Sequence, residues 1–399
     1  MPRTIITNAS VILPDHVAEH HAVILEAGRI ASVLPLGNLP AETDAQVVDA
    51  GGMYLAPGFI DLHIHGLHEY LVDHGPEDLA GIGQFLPTYG VTGFLPTLCP
   101  RPKGEDAEFL ATLSRVRPAG AQVMGFHLEG PFLSLTGALP AEAIGTADAQ
   151  RARSLVKAAD PYPAIFSIAP EFEGILDLLP IMTGGSTPAF ITHTCASVKQ
   201  TQAAIEAGAR HATHFYDVFP CPPETEPGAR PCGAVEAVLA DPRVSVDFIL
   251  DGEHVDPVAV HMALLCKGCD KVCLITDANV GAGLPPGTYE FGGNKITFAY
   301  PGGPARSGAD SPYPGGLAGS GLTLDRAVRN AIRLLGVDIP LAIRMASRNP
   351  AAVLGLAGTK GTIAEGFHAD LVLLDRELHV QKTWIGGKPA FAAPPHQKG

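Results

Sequence analysis

The chain has 399 residues, with 41 Asp and Glu against 27 Lys and Arg, a formal net charge of -14 and a pI near 5.5. That balance excludes a protein organised around a basic nucleic-acid-binding surface. The 45 glycines and 36 prolines fall without period in a chain that is 46 % hydrophobic, which excludes collagen and low-complexity disorder and leaves a large globular protein with many ordered loops.

No apolar run reaches the ~18 residues of a membrane span. The N-terminus, MPRTIITNASVILPD, lacks the long apolar core of a secretion signal. The expectation is a cytoplasmic enzyme with a small-molecule substrate and neither a nucleic-acid nor a membrane partner. Seven cysteines, an odd number, suit a reducing compartment. Cys266, Cys269 and Cys273 form C-x2-C-x3-C, but Cys273 falls inside KVCLITD, which reads as a buried strand. Inert thiols are expected there rather than a metal cluster.

Residues 1–56 alternate apolar and polar positions in short runs such as HAVILEAGRIASVL, the pattern of strands joined by tight turns. The far end, 357–399, has the same character. Together they predict one small β-sandwich domain assembled from both termini. The middle, 57–356, has another rhythm. Eight short apolar runs lie at 59–65, 92–99, 123–129, 164–171, 189–195, 211–217, 244–251 and 271–277, and most are followed by a stretch with helical spacing. Fully apolar strands alternating with helices predict a parallel sheet buried on both faces. Eight such units predict an α/β fold, a (β/α)8 TIM barrel. An open doubly wound sheet is disfavoured because no G-x-G-x-x-G follows a strand. A Gly/Pro-rich insertion at about 279–320 contains GTYEFGGNKITFAY, which predicts a hairpin turning at Gly292–Gly293 or Asn294. It is either a lid over the mouth or a surface hairpin at an oligomer interface.

The polar residues of the eight runs are not scattered. His63 and His65 end the first, Glu129 the third and Asp277 the eighth; His193 and His214 lie in the fifth and sixth, and His254 trails the seventh. In a barrel the C-terminal strand ends converge on one mouth. His63-x-His65 has strand spacing, so both imidazoles point to one side. Four imidazoles and two carboxylates exceed one tetrahedral ion. They match a two-metal site in which Glu129 bridges, His63, His65 and Asp277 serve one ion, and His193 and His214 serve the other. Zinc is the foremost candidate, with iron, manganese or cobalt suited to the same ligands, and one or two ions bound.

The words PGFIDLHIHG, GFHLEGPFLS, THTCAS, ATHFYD, DGEHV, LITDA, GLAGSGLTL and NPAAVLGL, followed by KGTIAEGFHADLVLLD, run in order from 57 to 375. They resemble the amidohydrolase superfamily and, within it, the N-acetylglucosamine-6-phosphate deacetylase family. HLEGPF is the most specific, placing a Glu where dihydroorotases, hydantoinases and ureases carry a carbamylated Lys. The resemblance implies deacetylation of an N-acetyl amino sugar phosphate. The residues agree as far as amide hydrolysis: a bound metal brings the pKa of water toward ~7, and Asp277 is the catalytic group that accepts the water proton and returns it to the leaving nitrogen. The resemblance further implies that His254 holds substrate, that Arg230 binds its phosphate across a subunit interface, and that the chain forms a homodimer or homotetramer.

Three stretches depart from the family. Its Gly-Ala-His becomes Gly137-Ala138-Leu139, which removes a substrate-contacting His. Its Tyr-Asn-Ala-Met, on the phosphate side of the sugar, becomes Tyr216-Asp217-Val218-Phe219, and an Asp repels a phosphate at close range. The glycines after His65 are lost, and His68 and His74 appear instead, which read as ordinary loop histidines. The hydrolytic residues are kept while the recognition residues change. That leaves open a different small amide or N-acyl substrate, and a deaminase or cyclic amidase of the same superfamily.

Overall fold

The computed structural model describes residues 3–39 and 44–394. Of the two terminal stretches expected to form the small domain, residues 1–2, 40–43 and 395–399 lie outside the described residues.

Eight parallel strands form the barrel: β1 (Phe59–Ile64), β2 (Val91–Leu98), β3 (Phe126–Phe132), β4 (Ala164–Ile168), β5 (Ala189–Ile191), β6 (Ala209–Ala212), β7 (Ser245–Ile249) and β8 (Val272–Ile275). They pair in chain order, and a parallel bridge from Ile64 to Ala278 brings β8 back to β1. Each strand is followed by a helix: α1 (Pro76–Phe85), α2 (Glu105–Leu113), α3 (Ala149–Ala159), α4 (Ile175–Met182), α5 (Val198–Glu206), α6 (Ala234–Ala240), α7 (Pro257–Lys267) and α8 (Leu324–Leu335). The TIM barrel expected from the sequence is the fold.

The local reasons are ordinary. Every residue of β1 and β2 is buried, as a strand covered on both faces requires. Phe94, Phe126, Phe166, Phe190 and Phe248 are fully buried in the barrel, each stabilising it by roughly 1.5–3 kcal/mol. α5 starts on a Ser197–Gln200 capping box and α7 on Asp256 with Pro257 in its first turn. α8 buries Leu324, Ala327, Val328, Ala331 and Leu335, one stripe at helical spacing.

Strand boundaries differ from the sequence reading in one instructive way. Residues 122–123 pair separately with β2, and β3 restarts at Phe126 after Gly125, which has no side chain to hold the pleat. Glu129 therefore lies within β3 rather than at its end.

Both ends of the chain contribute to a second, eight-stranded sheet. Thr4–Ile12 lies near its centre, and Leu371–Leu374 runs antiparallel to Tyr54–Pro57. Ile6, Val11, Val23, Leu55, Leu371 and Trp384 pack in its own core, separate from that of the barrel.

The insertion after β8 is larger than one hairpin. Gly287–Phe291 and Asn294–Phe298 form the expected hairpin, turning at Gly292–Gly293 with φ of 57° and 76°. Pro304–Ser307 and Leu317–Ser320 extend it to four antiparallel strands. A bridge from Ser320 to Ala278 ties this sheet to the rim of the barrel. Among the described residues no helix is long and apolar enough to cross a membrane.

Candidate metal centre

His63, His65, Glu129, His193, His214 and Asp277 come together at the C-terminal end of the barrel. His63 and Glu129 belong to β1 and β3; His65 lies one residue past β1, and His193, His214 and Asp277 two residues past β5, β6 and β8. These last three have left-handed backbones, with φ of 47°, 34° and 45°. Such strain in non-glycine residues is held only by a surrounding structure that over-determines it. For Asp277 the clamp is visible. Its N–H donates to His63 O at 2.9 Å and its carbonyl accepts from Ser320 N at 2.8 Å. A Cβ on Gly319 would come within 2.8 Å of that carbonyl oxygen, which explains why a glycine stands in GLAGSGLTL.

The four Nε2 atoms point inward. His65 Nε2 lies 3.0 Å and His63 Nε2 3.5 Å from Glu129 Oε2, while His214 Nε2 and His193 Nε2 lie 2.9 and 3.3 Å from Glu129 Oε1. Asp277 Oδ1 is 3.4 Å from both His63 Nε2 and His65 Nε2. The outward nitrogens are held elsewhere. His193 Nδ1 donates to Leu135 O at 3.0 Å, His214 Nδ1 lies 3.3 Å from Asp217 O, and His63 Nδ1 lies 3.1 Å from Thr213 Oγ1. For His193 and His214 the partner is a carbonyl, which only accepts, so the proton stays on Nδ1 and Nε2 faces the centre, the arrangement of a ligating imidazole.

Electrostatics fit the same picture. Burial alone would depress the His65 and His214 imidazoles, but hydrogen bonds and charge from Glu129 outweigh it and raise them to about 9 and about 10. Burial opposes ionisation of Glu129, yet the surrounding imidazoles, His63 first, hold its carboxyl well below the usual range. Positive charge is wanted at this point. Two Nε2 atoms 3.3 Å apart and a buried Asp277 Oδ1 without a hydrogen-bond partner say the same.

Several supporting residues carry no motif of their own. Asp61 lies beneath His63 and accepts from Thr276 Oγ1 at 2.6 Å; burial pushes its carboxyl up to about 7. Asp247 on β7 accepts from His214 N at 2.6 Å and pairs with His211 Nε2 at 2.7 Å. His127 packs edge-on against His63, and burial keeps its imidazole well below the ordinary value. The period-2 placement of Asp61 behind His63 and of His127 behind Glu129 was the available signal, and Asp247 had none.

The expected substrate residues fall into two groups. His254 is buried beside the centre. Its Nδ1 donates to Asp251 Oδ2 at 2.7 Å, and its Nε2 is buried without a partner. Val218 O accepts from Thr194 N at 3.2 Å, and Asp217 N donates to His214 O at 2.9 Å, so this loop is strapped to β5 and β6. Leu139 lines a cavity of about 580 Å³ under the four-stranded sheet. Arg230 stands apart: its side chain is 73 % exposed and pairs with Glu236 at 2.8 Å. His68 meets Tyr89 at 2.8 Å and His74 meets Asp78 at 2.9 Å, which makes both loop histidines. Cys266 and Cys269 are exposed and Cys273 is buried, all three as free thiols.

The Amidohydrolase family model matches residues 308–390. Over 381 residues the chain is 33 % identical to the N-acetylgalactosamine-6-phosphate deacetylase of Escherichia coli O157:H7, covering 93 % of this chain and 95 % of that protein. It is 31 % identical to the N-acetylglucosamine-6-phosphate deacetylase of Vibrio furnissii, covering 88 % and 86 %. Among solved structures, the N-acetylglucosamine-6-phosphate deacetylase of Pasteurella multocida superposes with a TM-score of 0.86 at 26 % identity, covering 98 % of this chain and 100 % of the other. That of Mycobacterium smegmatis gives 0.86 at 27 %, covering 97 % and 100 %.

Proposed function

The chain belongs to the N-acetylglucosamine-6-phosphate deacetylase family of amidohydrolases, and from that premise we propose that it removes the acetyl group from an N-acetylhexosamine 6-phosphate. The observation that carries the reading is the convergence of four inward Nε2 atoms on Glu129, with Asp277 Oδ1 3.4 Å from two of them.

This donor set fits divalent metal. His63, His65 and Asp277 form one group of ligand atoms within 4.8 Å of one another, and His63, Glu129 and His214 form another. In our assignment His63, His65, Glu129 and Asp277 would hold one ion, and Glu129, His193 and His214 would hold a second. Zinc, iron, manganese or cobalt suits these ligands. When bound, the metal polarises the amide carbonyl and ionises water near neutral pH.

The rest of the chemistry belongs to the side chains. Asp277 takes the proton from the attacking water and passes it to the amide nitrogen, because an amine leaves poorly unless protonated. Asp251 fixes one proton on His254 Nδ1, so Nε2 faces the sugar. The hydrogen bond from Asp251 outweighs the burial that would depress this imidazole, and its pKa is raised. Phe291 from the four-stranded sheet packs edge-on to His65, ring centroids 5.7 Å apart, and keeps bulk water from that side. The exposed Arg230 reaches the phosphate of a substrate bound in a second copy of the chain, in a homodimer or homotetramer. Its planar fork suits that group. The working compartment is the cytoplasm.

A second reading has support of its own. Leu139 has no donor for a substrate carbonyl, and Asp217 puts a carboxylate where a phosphate would approach. Both favour a different N-acyl amide with the same hydrolytic chemistry. Acetate release by metal-loaded protein from N-acetylglucosamine 6-phosphate, N-acetylgalactosamine 6-phosphate and the unphosphorylated sugars separates the two. A 6-phosphate preferred by about 100-fold or more in kcat/KM supports the first, because a site built for a polar group rejects analogues lacking it. No acetate from any sugar phosphate while metal is bound overturns it, and ammonia release would point to a deaminase.

A further inference from the structure

The turn that carries His254 is tied to the four-stranded sheet through the residue before it. Gly252 has a φ of 95°, which suits glycine. The Asp251 carboxylate then accepts from Glu253 N at 2.9 Å, from His254 N at 3.0 Å and from His254 Nδ1 at 2.7 Å. Residues 251–254 therefore move as one piece. His254 is buried in it, while Glu253 is exposed and reaches the sheet. Glu253 Oε2 accepts from Arg306 Nη2 at 2.8 Å, and Oε1 accepts from the Tyr300 hydroxyl. Arg306 belongs to the strand Pro304–Ser307 and Tyr300 to the turn before it. The hydrogen bond from Tyr300 holds the Glu253 carboxyl below the usual range, and the same bond pushes the phenol up to about 12. At neutral pH Glu253 is ionised and Tyr300 is the donor.

The two sides of the sheet are held by different forces. Toward β1 and β8, Phe291, Ile296 and Phe298 pack with Leu71 and Val280 in one buried apolar cluster, and Asn279 Nδ2 donates to Ala318 O at 3.0 Å. Toward β7, among the described residues, every side-chain hydrogen bond from 287–320 ends on Glu253. The side chains of Glu253 and Arg306 are 37 % and 46 % exposed. A buried apolar cluster is lasting, whereas an exposed ion pair stabilises little and breaks readily. Glu253 thus joins the piece that carries His254 to the piece that sets Phe291 against the His65 ring.

We propose that Glu253 is a positioning residue: it latches the four-stranded sheet to the turn of His254, and the latched arrangement is the one that binds substrate. The inference rests on the reading of His254 as a substrate-holding residue of an amide hydrolase. When the contact breaks, the sheet opens at its polar side and stays packed at its apolar side. Removing the contact lowers the closed fraction, and apparent affinity falls with that fraction. Saturating substrate restores closure, and kcat with it.

The experiment joins acetate release from N-acetylglucosamine 6-phosphate to hydrogen exchange read by mass spectrometry, both on the metal-loaded protein. Glu253→Ala and Arg306→Ala should each raise KM about fivefold and change kcat by less than about twofold. The double variant should raise KM no further, because both substitutions remove one contact. Tyr300→Phe should raise it about twofold. Backbone amides of residues 251–254 should exchange about fivefold faster in Arg306→Ala, although the substitution lies in another element. KM unmoved in both single variants, additive effects in the double variant, or a fall in kcat with KM unmoved overturns the inference. Unchanged exchange at 251–254 in Arg306→Ala overturns it whatever the kinetics. Melting temperatures lowered by more than about 4 °C in both single variants mark a structural contact and overturn it too. If the parent releases no acetate from the sugar phosphate, the deacetylase reading fails and exchange alone decides the latch, faster exchange supporting it.

Discussion

Two cavities of similar size open at opposite ends of the barrel, and they differ in what their walls lack. The one beside the metal centre measures about 580 Å³ and the one at the N-terminal strand ends about 510 Å³. At the C-terminal end, Asp277 Oδ1, His254 Nε2, Asp73 Oδ1, Arg101 Nε and Ser311 Oγ are all buried without hydrogen-bond partners. At the other end, none of the described lining residues has such an atom. There Asn349 donates to Cys269 O and Val272 O at 2.8 and 2.7 Å, and Arg243 pairs with Asp241 and Glu206. Volume does not tell the two apart. Unmet hydrogen bonding does, because buried polar groups are satisfied with few exceptions and each exception calls for its own physical reason, such as strain, solvent or function.

That contrast sets the size of each expected effect. Asp277→Asn should lower kcat by about 10³-fold through loss of the proton carrier. Steady-state kinetics on the metal-loaded protein check it. His254→Gln should cost about 100-fold in kcat/KM with metal content unchanged, read by acetate release and elemental analysis. Asn349→Ala inverts the pattern. It orphans two carbonyls and should cost about 1–3 kcal/mol in denaturant melts, with activity per folded molecule unaltered. An Asn349 variant that loses activity at full stability would break the comparison.

The smallest effect is a pH dependence. The side-chain hydrogen bond from Arg243 holds the Asp241 carboxyl at about 2. A depressed carboxylate stabilises the fold above its unfolded pKa of about 3.9 and loses that contribution as pH falls through the folded value. The Arg243 partner is 42 % exposed and solvent screens the pair, so the effect is discounted to below ~1 kcal/mol. Asp241→Asn should melt slightly lower than the parent at pH 7, and the gap should narrow below about pH 4.

The barrel was legible because its strands are apolar on both faces and its helices are not, so eight runs could be counted, most with a helical stretch behind them. The metal-facing residues were legible for a related reason. A His or an acidic residue at the end of an apolar run has no structural business there, and His63-x-His65 has the spacing of one strand face. The walls of the larger cavity were not legible. Cys99, Gly137 and Phe291 meet over nearly 200 positions of sequence and share no spacing. The four-stranded insertion was only half seen, because PARS and LAGS are too short and too mixed to read as strands. The left-handed turns at His193, His214 and Asp277 also escaped, since Gly and Asn rather than His usually announce them.

The C-terminal mouth acts as a metal-dependent amide-hydrolysing centre. The most direct measurement strips the protein with a chelator, adds zinc back in steps, and follows acetate release from N-acetylglucosamine 6-phosphate beside the bound metal per chain. The metal-free protein should be inactive, and its activity should return in proportion to metal and saturate at one or two ions per chain. Undiminished acetate release from the stripped protein would contradict it.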